Sequence, residues 1–159
     1  GGEFGQREEW NFQQSLDWHL LQYPEHRGIQ ATLRALNALY KERPALHQQQ
    51  FSADGFQWIA YDDHQGSILA FLRKGDVPEN DLVVVCNMVP VVREKYRIGV
   101  PKCDRLVEVF NSDGQNFGGS GVNNGNFIEV EPISFHAFNQ SVSVTLPPLA
   151  VVVFEKQMK

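Results

Sequence analysis

The sequence predicts a mainly β chain, an antiparallel β-sandwich preceded by a long loop and one amphipathic helix. Three observations carry that expectation. A helical apolar period occurs once, from Ile29 to Tyr40. From Phe51 onward the period falls to two, so a second unit begins near there. About eight short apolar runs then follow, separated by Gly, Asn, Asp and Pro, which is the spacing of a sandwich.

Residues 1–28 come first and have no folding period. Phe4, Trp10, Trp18 and Tyr23 lie among Glu3, Glu8, Glu9, Asn11 and Asp17. Flat apolar faces beside carboxylates and an amide suit a polar ligand that itself has apolar faces, a sugar being the obvious case. The alternative is that these rings simply pack under a surface loop.

The helix follows. Ile29, Leu33, Leu36 and Tyr40 fall at i, i+4, i+7 and i+11, Leu39 widens the stripe, and Gln30, Arg34, Asn37 and Lys41 form a polar row beside it. Pro44 lacks an amide hydrogen and disfavours helical geometry at Arg43, which predicts a helix from Arg27 to Glu42. The stripe either folds back on the following domain or stays exposed and drives self-association.

The strands are expected in this order. Phe56, Trp58 and Ala60 alternate with Gln57 and Ile59, and Ser67 to Arg73 pairs with them as a hairpin through Asp62-Asp63-His64-Gln65-Gly66. Trp58 is expected in the core, becoming a sugar-stacking platform only if its face opens to solvent. Leu82 to Met88 is almost continuously apolar, as suits a central strand covered on both faces. Arg93 to Val100 should turn Tyr96, Ile98 and Val100 inward and Lys95 and Arg97 outward. Leu106 to Phe110, Ser134 to Phe138, Val142 to Leu146 and Leu149 to Glu155 complete the set.

Between them, Asp113 to Asn126 is rich in Gly and Asn. A phosphate cradle would need a following helix and usually a lysine, whereas Phe127 to Glu131 reads as extended and no lysine is near. A twisting structural loop explains the composition, since Gly and Asn tolerate positive φ.

Several groups of residues also resemble a known family. Gly1-Gly2-Glu3-Phe4-Gly5-Gln6, Glu9-Trp10-Asn11, Ser15-Leu16-Asp17-Trp18-His19-Leu20-Leu21 and Tyr23-Pro24-Glu25-His26-Arg27-Gly28 come first. Asn87-Met88-Val89-Pro90-Val91, Tyr96-Arg97-Ile98-Gly99-Val100-Pro101, Asn111-Ser112-Asp113 with Phe117-Gly118-Gly119-Ser120-Gly121-Val122, and Leu146-Pro147-Pro148-Leu149-Ala150 continue the order. Together they resemble the C-terminal portion of prokaryotic 1,4-α-glucan (glycogen) branching enzymes, in the α-amylase superfamily of glycoside hydrolases.

The resemblance implies that residues 1–46 are the end of a catalytic barrel, with its last strand end, loop and last helix. Residues 47–159 would be the Greek-key C-terminal sandwich of that superfamily. It implies a parent glycosyltransferase that cleaves an α-1,4-glucan chain and moves it to a 6-hydroxyl, forming an α-1,6 branch in glycogen biosynthesis. Retaining transfer needs a nucleophile and an acid/base carboxyl about 5 Å apart. None of the superfamily's catalytic motifs occurs here, so this portion is expected to be inactive alone, to buttress the barrel and to influence chain-length selection. In barrels, strand C-termini face the active site, so the resemblance puts Glu3, Trp10, Asn11, Asp17 and Trp18 at the rim of the glucan cleft. The implied partners are α-glucan and the missing barrel, with self-association through Ile29, Leu33, Leu36 and Tyr40 a further expectation. A stand-alone carbohydrate-binding module and a purely structural domain are the competing readings.

Composition bounds the rest. With 14 basic against 19 acidic residues and no basic run, neither nucleic acid nor an anionic membrane is an expected partner. Cys86 and Cys103 form no C-x-x-C, so reduced thiols are expected, with Cys86 a small buried hydrophobe. His19, His26, His47, His64 and His136 fit no metal-ligand spacing, and no cofactor is expected. The first residues lack the positive and apolar segments of a signal peptide and no run is long enough to span a membrane, so a cytoplasmic location is expected.

Overall fold

A computed structural model describes residues 1–158. Helix α1, Pro24–Glu42, begins three residues before the expected start because Pro24 occupies its first turn, where a missing amide hydrogen costs nothing. Eight strands follow: β1 Phe56–Asp63, β2 Ile68–Arg73, β3 Leu82–Asn87, β4 Arg93–Gly99, β5 Arg105–Asn111, β6 Ile128–Glu129, β7 Ser141–Leu146 and β8 Ala150–Gln157. One sheet has the order β1-β2-β3-β8-β5-β6, the other pairs β4 with β7, and every pairing is antiparallel. The last strand enters between β3 and β5, the kind of non-sequential neighbour that a Greek-key connection produces.

The two sheets close over Ile68, Ala70, Leu72, Val83, Val85, Ile98, Val142, Val144, Val152 and Phe154. All six residues of β3 are buried, as its unbroken apolar run predicts. Val83 and Val85 face the second sheet, while Leu82, Val84 and Cys86 face outward into a second cluster with Leu39, Ala45 and Phe110. Helix α1 therefore lies on the outer face of the larger sheet.

Of the expected stripe, Leu39 alone docks in the buried cluster on the sheet. Gly28 and Leu39 are the helix's buried residues and Ala35 packs with Leu39, whereas Ile29, Leu36 and Tyr40 remain exposed. Closeness decides which face is used. A Cβ at Gly28 would lie 2.5 Å from the Phe117 carbonyl oxygen, so the small-residue face approaches the sheet and loop where larger side chains would collide.

Three other expectations change. Gly2–Phe4, implied by the resemblance to end a strand, form a 3-10 turn, since a lone strand end has no neighbour here to complete its hydrogen bonds. Ser134 to Phe138 is a reverse turn: Phe135 and Phe138 exchange N–H···O bonds of 3.0 and 2.9 Å while His136 and Ala137 hold φ of 45° and 63°. Trp58 is not in the core. A bulge between Trp58 and Ala60 puts Ile59 and Ala60 inside together and rotates Trp58 onto the outer face opposite Phe71.

Candidate functional site

The five residues implied by the resemblance fall into separate groups. Trp18 rests on the buried ring of Phe4 at 5.2 Å, and Asp17 N–H donates to Gln6 Oε1 at 3.0 Å. The Phe4 carbonyl is in turn 2.7 Å from His26 Nδ1 at the start of α1. Trp10 is 76% exposed with Phe12 as its ring neighbour, and Asn11 Oδ1 accepts from Gln13 N–H in a local turn. Glu3 lies beside the helix with Gln30, Leu33 and Arg34. No hydrogen bond or ring contact among the described residues joins Trp10 or Asn11 to Glu3, Asp17 or Trp18.

A different set of aromatics does converge. On the outer face at the β1 edge, Trp58 meets Phe56 at 4.9 Å and Phe71 at 5.9 Å, both edge-on, and Tyr61 at 6.0 Å. Phe56 stacks on Phe71 at 5.2 Å. Trp58 and Tyr61 are 46% and 63% exposed, so the row offers solvent a rigid aromatic shelf backed by the core. Such a shelf suits the apolar face of a sugar ring, and Tyr61 adds a hydroxyl. Period-two reading missed it because the bulge is a pairing property. The sequence signal was the density of aromatics in Phe56-Gln57-Trp58-Ile59-Ala60-Tyr61.

The Gly/Asn-rich stretch is built inward. Asp113 accepts from Ser120 N–H at 2.9 Å, Ser120 Oγ–H at 2.6 Å and Val122 N–H at 3.0 Å. Glu108 accepts from Asn111 Nδ2 at 2.9 Å and from Asn124 N–H and Nδ2 at 3.2 and 2.8 Å. The Asn124 amide also exchanges bonds with the Thr145 backbone at 3.0 and 2.8 Å, imitating a strand neighbour for β7. The polar groups of this loop are thus largely spent on its own shape, as the structural reading expects.

Other ionisable groups are likewise engaged. Asp63 accepts from Gly66 N–H at 2.7 Å and Tyr96 Oη–H at 2.8 Å, which hold its pKa below the ordinary carboxylate value. Glu131 pairs with Arg97 and Glu155 with Arg43. No cluster of three metal-ligating side chains exists among the described residues. None of their helices is long and apolar enough to cross a membrane. Burial pushes the Cys86 thiol up and the Cys103 thiol up to about 11. Native Cys86 and Cys103 are therefore expected to react with iodoacetamide at pH 8 at least tenfold more slowly than after unfolding, through a smaller thiolate fraction and poor access. Equal rates in a mass-spectrometric time course would contradict the buried placement.

Residues 58–157, the strands and loops just described, match the model of the alpha-amylase C-terminal all-beta domain. The chain belongs to that family. Placed on this alpha-amylase C-terminal domain, β1 with its aromatic shelf opens the matched region and β8 closes it. Among curated relatives, a 1,4-alpha-glucan branching enzyme of Aquifex aeolicus is 45% identical over 99% of this chain and 25% of its own length. One from Cupriavidus pinatubonensis is 47% identical over 98% of this chain and 21% of its own. The chain thus spans a quarter or less of the relatives it matches. Among solved structures, an alpha-amylase from H. orenii matches 81% of this chain and 20% of its own, at 20% identity and a TM-score of 0.48.

Proposed function

We propose that this chain is the C-terminal part of a prokaryotic 1,4-α-glucan branching enzyme. Residues 1–46 complete the catalytic barrel and residues 47–159 form the sandwich that buttresses it. The observation that carries the reading is similarity at 45% identity along 157 residues of one relative, spanning both the aromatic loop and the sandwich. The parent cleaves an α-1,4-glucan and transfers the segment to a 6-hydroxyl in the cytoplasm. This portion takes no chemical step, because none of the superfamily's catalytic motifs lies in it. Helix α1 supports the assignment: with Gly28, Ala35 and Leu39 on the sandwich, the exposed face of Ile29, Leu36 and Tyr40 remains for the barrel. In a stand-alone chain that same face would drive self-association.

The aromatic shelf favours a direct glucan contact by the sandwich, the feature that the module reading also requires. Glu3, Trp10, Asn11, Asp17 and Trp18 take the rim of the cleft in the intact enzyme.

The test is an exchange. This chain replaces the matching quarter of the Aquifex aeolicus enzyme, and branching of amylose is followed by iodine staining. Retained branching supports the reading. A soluble, folded chimera without activity would overturn it. Within the active chimera, Trp58→Ala is expected to weaken maltoheptaose binding about tenfold, the loss of roughly 1.4 kcal/mol of aromatic burial. Unchanged affinity would remove the shelf from the proposal, and unchanged affinity and rate in a Trp10→Ala/Trp18→Ala variant would remove the rim.

A further inference from the structure

Between α1 and residues 114–123 lies an open cavity of about 700 Å³. Its size falls within the range of small-molecule sites, roughly 300–1,000 Å³. We propose that this groove is a second carbohydrate site, holding a neutral gluco-oligosaccharide apart from the aromatic shelf. The proposal rests on the α-glucan reading of the chain.

The floor is apolar, formed by Leu39 with the rings of Phe110 and Phe117, whose centroids are 5.7 Å apart. It suits the C–H face of a pyranose. The rim is amide. Gln115 and Asn116 line this cavity and also a neighbouring one of about 410 Å³ that extends toward Arg27 and Arg34. Their side chains make no hydrogen bond within the described residues, whereas Asp113, Ser120 and Asn124 are bonded inward and Asn123 is held in an exposed local turn. Two free amides supply both donors and acceptors, the complement of a hydroxyl-rich ligand.

Charge argues against an anionic ligand. Arg43 in the wall is paired with Glu155 at 2.6 Å and with Glu42 at 3.6 Å, and Glu108 is occupied by Asn111 and Asn124. Arg43 is the wall's one cation and is already engaged, so an anion would give up hydration without a free cationic partner. The walls are also fixed in advance. The Asp113 and Glu108 bonds hold the loop, and the missing side chain at Gly28 lets the helix lie directly against it. A preorganised groove loses little conformational entropy on binding.

The ¹⁵N-labelled 159-residue chain titrated with maltoheptaose tests this by amide NMR. The largest shifts are expected at residues 114–123 and 35–43. A Gln115→Ala/Asn116→Ala variant should weaken that response at least fivefold. Ala38→Arg, on the exposed helix surface at the mouth, should block it without touching the core. Trp58→Ala should leave these shifts in place.

Shifts confined to β1 and β2, abolished by Trp58→Ala and indifferent to the groove variants, would overturn the groove while leaving glucan binding by the chain intact. The absence of any shift would likewise overturn it. The branching-enzyme reading is decided separately by the chimera, whose activity does not depend on this affinity.

Discussion

Asp113→Ala is expected to lower the free energy of unfolding by roughly 3–5 kcal/mol, read as an earlier midpoint in urea denaturation at pH 7. Asp113 is buried, and its carboxylate gathers Ser120 N–H, Ser120 Oγ–H and Val122 N–H. Removing it leaves two backbone donors inside the loop without an acceptor, at about 1–3 kcal/mol each, and frees a loop on which α1 rests. A loss below about 1 kcal/mol would show that the loop repairs itself and that the inward bonds do not hold it.

A pH dependence follows. Burial alone would raise the Asp113 pKa, but the bonds from Ser120 and Val122 outweigh it and hold the value below the ordinary range. A depressed folded pKa means stability present in full above the unfolded value, near 3.9, and lost as pH falls through the lower folded one. The stability difference between wild type and Asp113→Asn should therefore shrink as pH falls from about 5 to about 2.

Lys156→Met is expected to cost about 3–5 kcal/mol, the usual result of stranding one member of a buried ion pair. Lys156 Nζ and Asp81 Oδ2 are 3.3 Å apart, with side chains only 6% and 7% exposed. Asp81 Oδ1 also accepts from Gly75 N–H at 3.2 Å, tying the segment before β3 to β8. The double variant Asp81→Leu/Lys156→Met should recover most of the loss, because no charge is then left buried, though the Gly75 bond stays broken. A double variant no better than the single would mean that packing of the lysine stem, and not the charge pair, is what the substitution removes. Thermal and urea midpoints of the three proteins decide it.

Much of the fold was legible along the chain. The apolar run of β3, the alternation of β4, the stop at Pro44 and the turn chemistry of residues 113–126 are local signals, and each marks the element that forms. Misreadings arose where partners at long separation decide. Ser134 to Phe138 alternates like a strand, yet two successive positive φ angles at His136 and Ala137 reverse it. The candidate site shows the same division. Density of aromatics was visible around Trp58, but its direction was not.

What the sequence determined by itself was the class of the domain, the order of its elements and the order of motifs that relates it to the branching enzymes. Periodicity, propensity and turn residues act over a few neighbours and survive in one dimension. Only the tertiary structure decided which face of α1 docks, which way Trp58 points and where a groove opens. The bulge in β1, the clearance at Gly28, and the bonds joining Glu108 to Asn124 and Asn124 to Thr145 are made between residues that only the folded packing brings together.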